Sequence, residues 1–258
     1  MKYLVAVMLV LGLSMSARAE VRSELVEYWH GDTVLEGYLA WDDSGDGQRP
    51  GVVVFHDWMG EGPFDRDVVR KLAGMGYIAL AADVYGKGVR PKDQKEAAQQ
   101  AGIYRGDRGL MRARANSALT LLLENDLTDK NRVAATGYCF GGGVALELAR
   151  SGAPLAGVVS FHGNLDTPDP KDAGNIKGKI LVLHGADDPL VPPEQVSAFI
   201  AEMRSADVDW QMVHYGGAVH AFTNPGAGND NSRGAAFNEG ADRRSWQAMR
   251  SFFGEIFD

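Results

Sequence analysis

Apolar residues occur along the chain in short bursts separated by amphipathic stretches. "GVVVFHD" (51–57), "YIALAAD" (77–83) and "RVAATGY" (132–138) are nearly continuous apolar runs, as expected of strands covered on both faces. "LAGVVSFHG" (155–163), "KILVLHG" (179–185) and "DWQMVHY" (209–215) read as further strands, while "TVLEGYLAW" (33–41) alternates and predicts a half-exposed one. In "FDRDVVRKLAGMG" (64–76) the apolar positions Val68, Val69, Leu72 and Met75 have helical spacing, with Gly74 or Gly76 as the stop. "RGLMRARANSALTLLLEND" (108–126), "VALELARSG" (144–152), "PEQVSAFIAEMRSA" (193–206) and "RRSWQAMRSFFGEIF" (243–257) predict more helices, and a long polar-and-alanine stretch runs on from Lys92.

Strands that alternate with helices predict an α/β protein. Right-handed crossovers would build a mostly parallel central sheet with helices on both faces. In such sheets the chemistry collects at the carboxyl ends of the strands. No repeat or linker divides residues 20–258, which are expected to form a single domain. The glycine- and asparagine-rich segments "GDGQRPG" (45–51) and "NPGAGNDNSRGA" (224–235) read as loops within it.

Residues 1–19 stand apart. "MKYLVAVMLVLGLSMSARAE" has a basic Lys2, an apolar run from Tyr3 to Leu13, and Ala17-Arg18-Ala19 before Glu20. That is the layout of a secretory signal peptide cleaved after Ala19, and the run is shorter than the ~20 residues of a membrane span. An uncleaved N-terminal anchor is the alternative. The expected location is therefore periplasmic or secreted, with no membrane attachment after cleavage. A formal net charge of −8 argues against a nucleic-acid surface.

Export gives the single cysteine of the chain weight. Exported proteins use cysteines in pairs, and Cys139 has no partner for an internal disulfide. It lies in "GYCFGGG" (137–143), directly after a buried strand and before a helix. Gly137-Tyr138-Cys139-Phe140-Gly141 has the form of a nucleophile elbow with Cys in place of Ser. The glycines let strand, turn and helix pack closely, and the amides at the start of the helix favour a thiolate. The other reading is a tight turn with an inert thiol.

The ends of two later strands supply partners. "LHGADDPLVPPE" (183–194) places Asp187 and Asp188 just past a strand, and the H-G-x-x-D-x-x-V-P spacing selects Asp188, with Asp187 as a turn or cap residue. "YGGAVHAFTNP" (215–225) places His220 in a loop after the last strand. Nucleophile, acid, histidine is the order of the α/β-hydrolase fold. His56, His162 and His184 also end strands. Without H-x-H, H-E-x-x-H or a cysteine pair they predict no metal site. His56 and His162 are candidates for the pocket wall, and His184 for packing at a strand end.

With these residues in place the chain resembles the dienelactone hydrolase family, from about Val26 to the C-terminal helix. The resemblance is carried by "HDWMGEG" (56–62), "GYIALAADVYG" (76–86), "GYCFGGG", "HGADDPLVP" (184–192) and "HAFTNP" (220–225). It implies hydrolysis of esters or lactones by a Cys139, His220 and Asp188 triad, and an oxyanion hole made by the backbone N–H groups of Trp58 and Phe140. It also implies an acid near the thiol that modulates its protonation. That acid is Asp57, one methylene shorter than the glutamate of single-step lactone hydrolases and otherwise a turn residue.

Tyr85, Lys87, His162 and Asn224 are expected at the substrate pocket. Lys87 and Asn224 stand where the resemblance leads one to expect arginines that clamp a substrate carboxylate, and a lysine and an amide do not replace a bidentate clamp. Poor turnover of carboxylated lactones relative to neutral short-chain esters is the expectation. The overall reading is a monomeric cysteine-dependent ester or lactone hydrolase with a small-molecule substrate and no cofactor. The rival is a non-catalytic periplasmic binding module on the same fold. A thiol redox protein would need a second, resolving cysteine.

Overall fold

The computed structural model describes residues 20–45 and 47–258; the expected signal peptide lies outside them. One eight-stranded sheet organises the chain: β1 (Val21–His30), β2 (Thr33–Asp42), β3 (Arg49–Phe55), β4 (Ile78–Ala82), β5 (Thr128–Tyr138), β6 (Gly157–Phe161), β7 (Lys179–Gly185) and β8 (Trp210–Tyr215), in the spatial order β1-β2-β4-β3-β5-β6-β7-β8. β1 pairs antiparallel with β2, and β2 antiparallel with β4; every pairing from β4 to β8 is parallel. The helices are α1 (Pro63–Ala73), α2 (Gln94–Gly106), α3 (Arg108–Glu124), α4 (Phe140–Arg150), α5 (Pro193–Ser205) and α6 (Glu239–Phe257). This is the mostly parallel α/β-hydrolase fold.

The two-residue period of each strand divides the core into two layers. Val53 and Phe55 of β3 and Ile180 and Val182 of β7 pack on one face with Leu119 and Leu122 of α3, Val144 and Leu148 of α4 and Phe199 of α5. Val52 and Val54, with Leu181 and Leu183, pack on the other with Val69 and Leu72 of α1 and Phe253 of α6. Cover on both faces explains why these strands read as unbroken apolar runs.

Three elements differ from expectation. β1 escapes the pattern because it is an edge strand with mostly exposed residues, and Tyr28 is the one it buries fully. The stretch after Lys92 contains α2, opened by Asp93, whose carboxylate accepts the Glu96 amide at 2.8 Å. α4 begins at Phe140, four residues before the apolar spacing shows it, because its first turn is glycine. Among the described residues no helix is long and apolar enough to cross a membrane.

Candidate active site

Cys139 follows β5 directly and serves as the N-cap of α4, with φ 55° and ψ −117°. A non-glycine residue rarely adopts such a backbone, which costs on the order of 1–3 kcal/mol and persists only where the surroundings enforce it. The neighbouring glycines make the enforcement possible. A Cβ on Gly137 would lie 2.1 Å from the Gly141 carbonyl oxygen, and one on Gly141 would lie 2.1 Å from that of Phe55. Strand, turn and helix are therefore in backbone contact, and the thiol is carried out at the carboxyl edge of the sheet.

His220, in the loop after β8, and Asp188, just past β7, complete a hydrogen-bonded line. His220 Nε2 lies 3.0 Å from Cys139 Sγ, and its Nδ1 lies 2.8 Å from Asp188 Oδ2. The other Asp188 oxygen accepts the Leu190 amide at 2.8 Å, which fixes the carboxylate. Asp187 is exposed, and its amide donates to the Ala218 carbonyl at 3.0 Å. Burial opposes a charge on the His220 imidazole. The Cys139 sulfur and the hydrogen bonds to Asp188 and Cys139 outweigh it, and the imidazole is pushed up to about 10.

The Phe140 amide opens α4 and has no intrahelical acceptor. The Trp58 amide, in the turn after β3, meets no acceptor among the described residues. Below that turn the Tyr85 hydroxyl donates to the Trp58 carbonyl at 3.1 Å. Asp57 accepts the Met59 amide at 2.7 Å; burial above all raises its carboxyl, and that bond partly offsets the rise. His162, at the end of β6, accepts the Cys139 amide on Nδ1 at 3.1 Å and meets Thr223 Oγ1 through Nε2 at 2.8 Å. A cavity of about 730 Å³ opens over Cys139, walled by Asp57, Trp58, His162, His220 and Asn224 among others.

The sequence pattern of the dienelactone hydrolase family matches residues 35–257. The chain belongs to the dienelactone hydrolase family. The solved structure of m3DLH is 44% identical, with a TM-score of 0.89 over 92% of this chain and 99% of its own. P91, a dienelactone hydrolase-like promiscuous phosphotriesterase from metagenomic libraries, is 43% identical, with a TM-score of 0.88 and the same coverage. A Salmonella typhimurium protein provisionally named a carboxymethylenebutenolidase is 27% identical, over 86% of this chain and 83% of its own.

Within this dienelactone hydrolase family member, three residues sit elsewhere than expected. Lys87 lies outside the cavity: its ammonium is held by Glu27 and Glu36 on the β1–β2 hairpin. Tyr85 is buried beneath the Trp58 turn, against His56 and Phe140, and does not wall the cavity. His56 is fully buried too. Its Nδ1 faces the Asp57 carbonyl at 2.5 Å and its Nε2 accepts the Val84 amide at 3.2 Å. Asn224 does line the cavity, its side-chain oxygen accepting the Gly226 amide. The cations at the cavity are instead Lys92, Arg105 and Arg233. Arg105 donates to Asn164 Oδ1 at 2.7 Å and lies 6.0 Å from the centre of the Phe140 ring. The weak amphipathic period of α2 and the irregular loop around Arg233 left no spacing signal for either arginine.

Proposed function

We propose that this hydrolase acts on esters or lactones through a Cys139–His220–Asp188 triad and a thioester acyl-enzyme. The observation that carries the reading is the line Sγ to Nε2 at 3.0 Å and Nδ1 to Oδ2 at 2.8 Å, set on a strained elbow at the floor of the cavity. The Cys139 sulfur, as thiolate, attacks the carbonyl carbon. The charge that develops on the carbonyl oxygen is met by the Trp58 and Phe140 amides; one such donor is worth about 2.7–4 kcal/mol of barrier. As the C–O bond breaks, His220 Nε2 gives its proton to the leaving alkoxide, and a thioester remains. Water then gives a proton to His220 and its oxygen to the carbonyl carbon; the C–S bond breaks and the thiolate–imidazolium pair returns. Asp188 holds the ring orientation throughout and fixes the tautomer of the neutral imidazole left after the leaving group is protonated.

Mass spectrometry after mixing with an activated aryl ester tests this reading. One acyl adduct on the Cys139 peptide, with a burst of phenol and loss of turnover in Cys139→Ser, is the expected result. An adduct elsewhere, or turnover without one, overturns it; tight binding with neither adduct nor product supports a binding module instead. The likeness to P91 at 43% identity favours phosphotriesters as a second substrate class, in which Cys139 would attack phosphorus as one P–O bond breaks and an alcohol leaves. Release of an aryl alcohol from a phosphotriester by wild type but not by Cys139→Ser is the check. The N-terminal pattern of residues 1–19 supports a periplasmic location, tested by cell fractionation and N-terminal sequencing, where a chain starting at Glu20 is expected.

A further inference from the structure

Three residues at this site have positive φ without being glycine: Cys139, at φ 55°, His162, at φ 39°, and Ala221, at φ 56°, next to His220. The His162 ring contacts the strained elbow directly, through the Cys139 amide. The turn at His162, anchored by its own amide on the Leu183 carbonyl at 2.8 Å, aims its ring at the elbow. The Cys139 amide donates both to the Phe161 carbonyl at 3.0 Å and to His162 Nδ1 at 3.1 Å. An amide can only donate, so Nδ1 is the unprotonated nitrogen and the ring proton is on Nε2. That proton points to Thr223 Oγ1 at 2.8 Å. Thr223 is buried and lies three residues after His220 in the same loop. The His162 ring also packs edge-on against His220, 5.2 Å between ring centres, and against Phe222 at 5.0 Å.

We propose that His162 is a positioning residue for the hydrolysis: its uncharged ring ties the nucleophile elbow to the loop that carries His220, and so sets the distance between Cys139 Sγ and His220 Nε2. The inference rests on the triad reading above. A single ring bonded to the elbow at one nitrogen and to the histidine loop at the other couples two segments whose catalytic residues, Cys139 and His220, are 81 residues apart in sequence. The electrostatics agree with the tautomer. Burial, and next the charge of His220, press His162 well below the ordinary histidine range; His184 acts in the same direction. A protonated ring would turn an N–H toward the Cys139 N–H and set a second cation beside His220. Tyr138, 6.1 Å from the ring, completes its surroundings.

Three variants separate positioning from packing. His162→Phe keeps the ring and loses both bonds. His162→Asn keeps an acceptor near the Nδ1 position and loses the reach to Thr223. Thr223→Val keeps the shape and loses only the loop end. With an aryl ester, His162→Phe should lower kcat by about 10- to 100-fold with KM little changed, since a displacement near 1 Å can cost on the order of 10²-fold. His162→Asn should recover part of that loss, and Thr223→Val should lower kcat severalfold at unchanged melting temperature. Alkylation of Cys139 by iodoacetamide should slow in the same order. Native kcat in both His162→Asn and Thr223→Val, with Cys139→Ser inactive, overturns the tie alone. Activity retained in Cys139→Ser overturns the triad reading and the tie with it.

Discussion

Asp188 Oδ2 and His220 Nδ1 stand 2.8 Å apart, both buried, and the second Asp188 oxygen is engaged by the Leu190 amide. The carboxylate therefore accepts from two N–H groups and fixes which imidazole nitrogen faces Cys139. Asp188→Asn keeps the shape but offers an amide that can present its own N–H to the ring, so His220 takes the wrong tautomer. The expected result is a loss of kcat approaching 10⁴-fold, as such a change gives in a serine triad, with binding of a non-hydrolysable substrate analogue preserved. A loss of less than tenfold would mean that His220 does not depend on Asp188 for its orientation.

The sulfur and the imidazole are coupled, which gives a pH prediction of definite sign. His220 is held at about 10 against its burial, and the Cys139 charge is the largest influence raising it. In Cys139→Ala that influence is gone. The His220 ring titration followed by NMR should move down by about 1–3 pH units, the usual effect of one close opposite charge. A raised value in the folded state also means that the stabilising charge on His220 is fully present below its ordinary 6.5 and is lost as pH rises through about 10. Removal of the thiol should shift that loss to lower pH. An unchanged His220 titration in Cys139→Ala would separate the two groups.

The candidate triad could be found in the sequence because cysteine, aspartate and histidine each follow a strand in the order that the fold brings together. Cys139 after β5, Asp188 after β7 and His220 after β8 meet in space. Position past a strand did not by itself place a side chain: His56, directly after β3, and Tyr85, three residues after β4, are both buried. The chain after β4 folds beneath the Trp58 turn, so Tyr85 is buried and Lys87 emerges toward Glu27 and Glu36. β1 was invisible because an edge strand with an exposed face has no apolar run to announce it. The double attachment of His162 was hidden as well: its nearest partners, Cys139 and Thr223, are 23 and 61 residues away.

Glycine substitutions should separate geometric need from simple flexibility. A Cβ on Gly141 would lie 2.1 Å from the Phe55 carbonyl oxygen, a backbone atom that cannot swing aside. Overpacking of this kind costs about 1–3 kcal/mol or more, and at 2–4 °C per kcal/mol for a chain of this size Tm should fall by roughly 2–12 °C. Ester turnover should fall with it, because the elbow moves. Gly102, inside α2, has nothing within 4 Å of its added Cβ and an ordinary φ. Gly102→Ala should instead stabilise by about 0.5–1 kcal/mol at unchanged activity. Equal effects at the two positions would contradict the packing account of the elbow.

The cations at the cavity reverse the expectation drawn from Lys87 and Asn224. Arg105 and Arg233 stand at its wall, within the cavity that a substrate would enter, while Lys87 is occupied elsewhere. A carboxylated aryl ester should therefore be turned over at least as well as its neutral counterpart. Both arginines are exposed, so each contributes modestly: an exposed ion pair is worth up to ~1 kcal/mol. Arg105→Gln should accordingly raise KM for the carboxylated ester about 2- to 5-fold, and the effect should shrink with added salt. The neutral ester should respond little. The double variant with Arg233→Gln should lose more on the carboxylated ester alone. If both esters lose equally, Arg105 acts through its contacts with Asn164 and the Phe140 ring rather than through substrate charge.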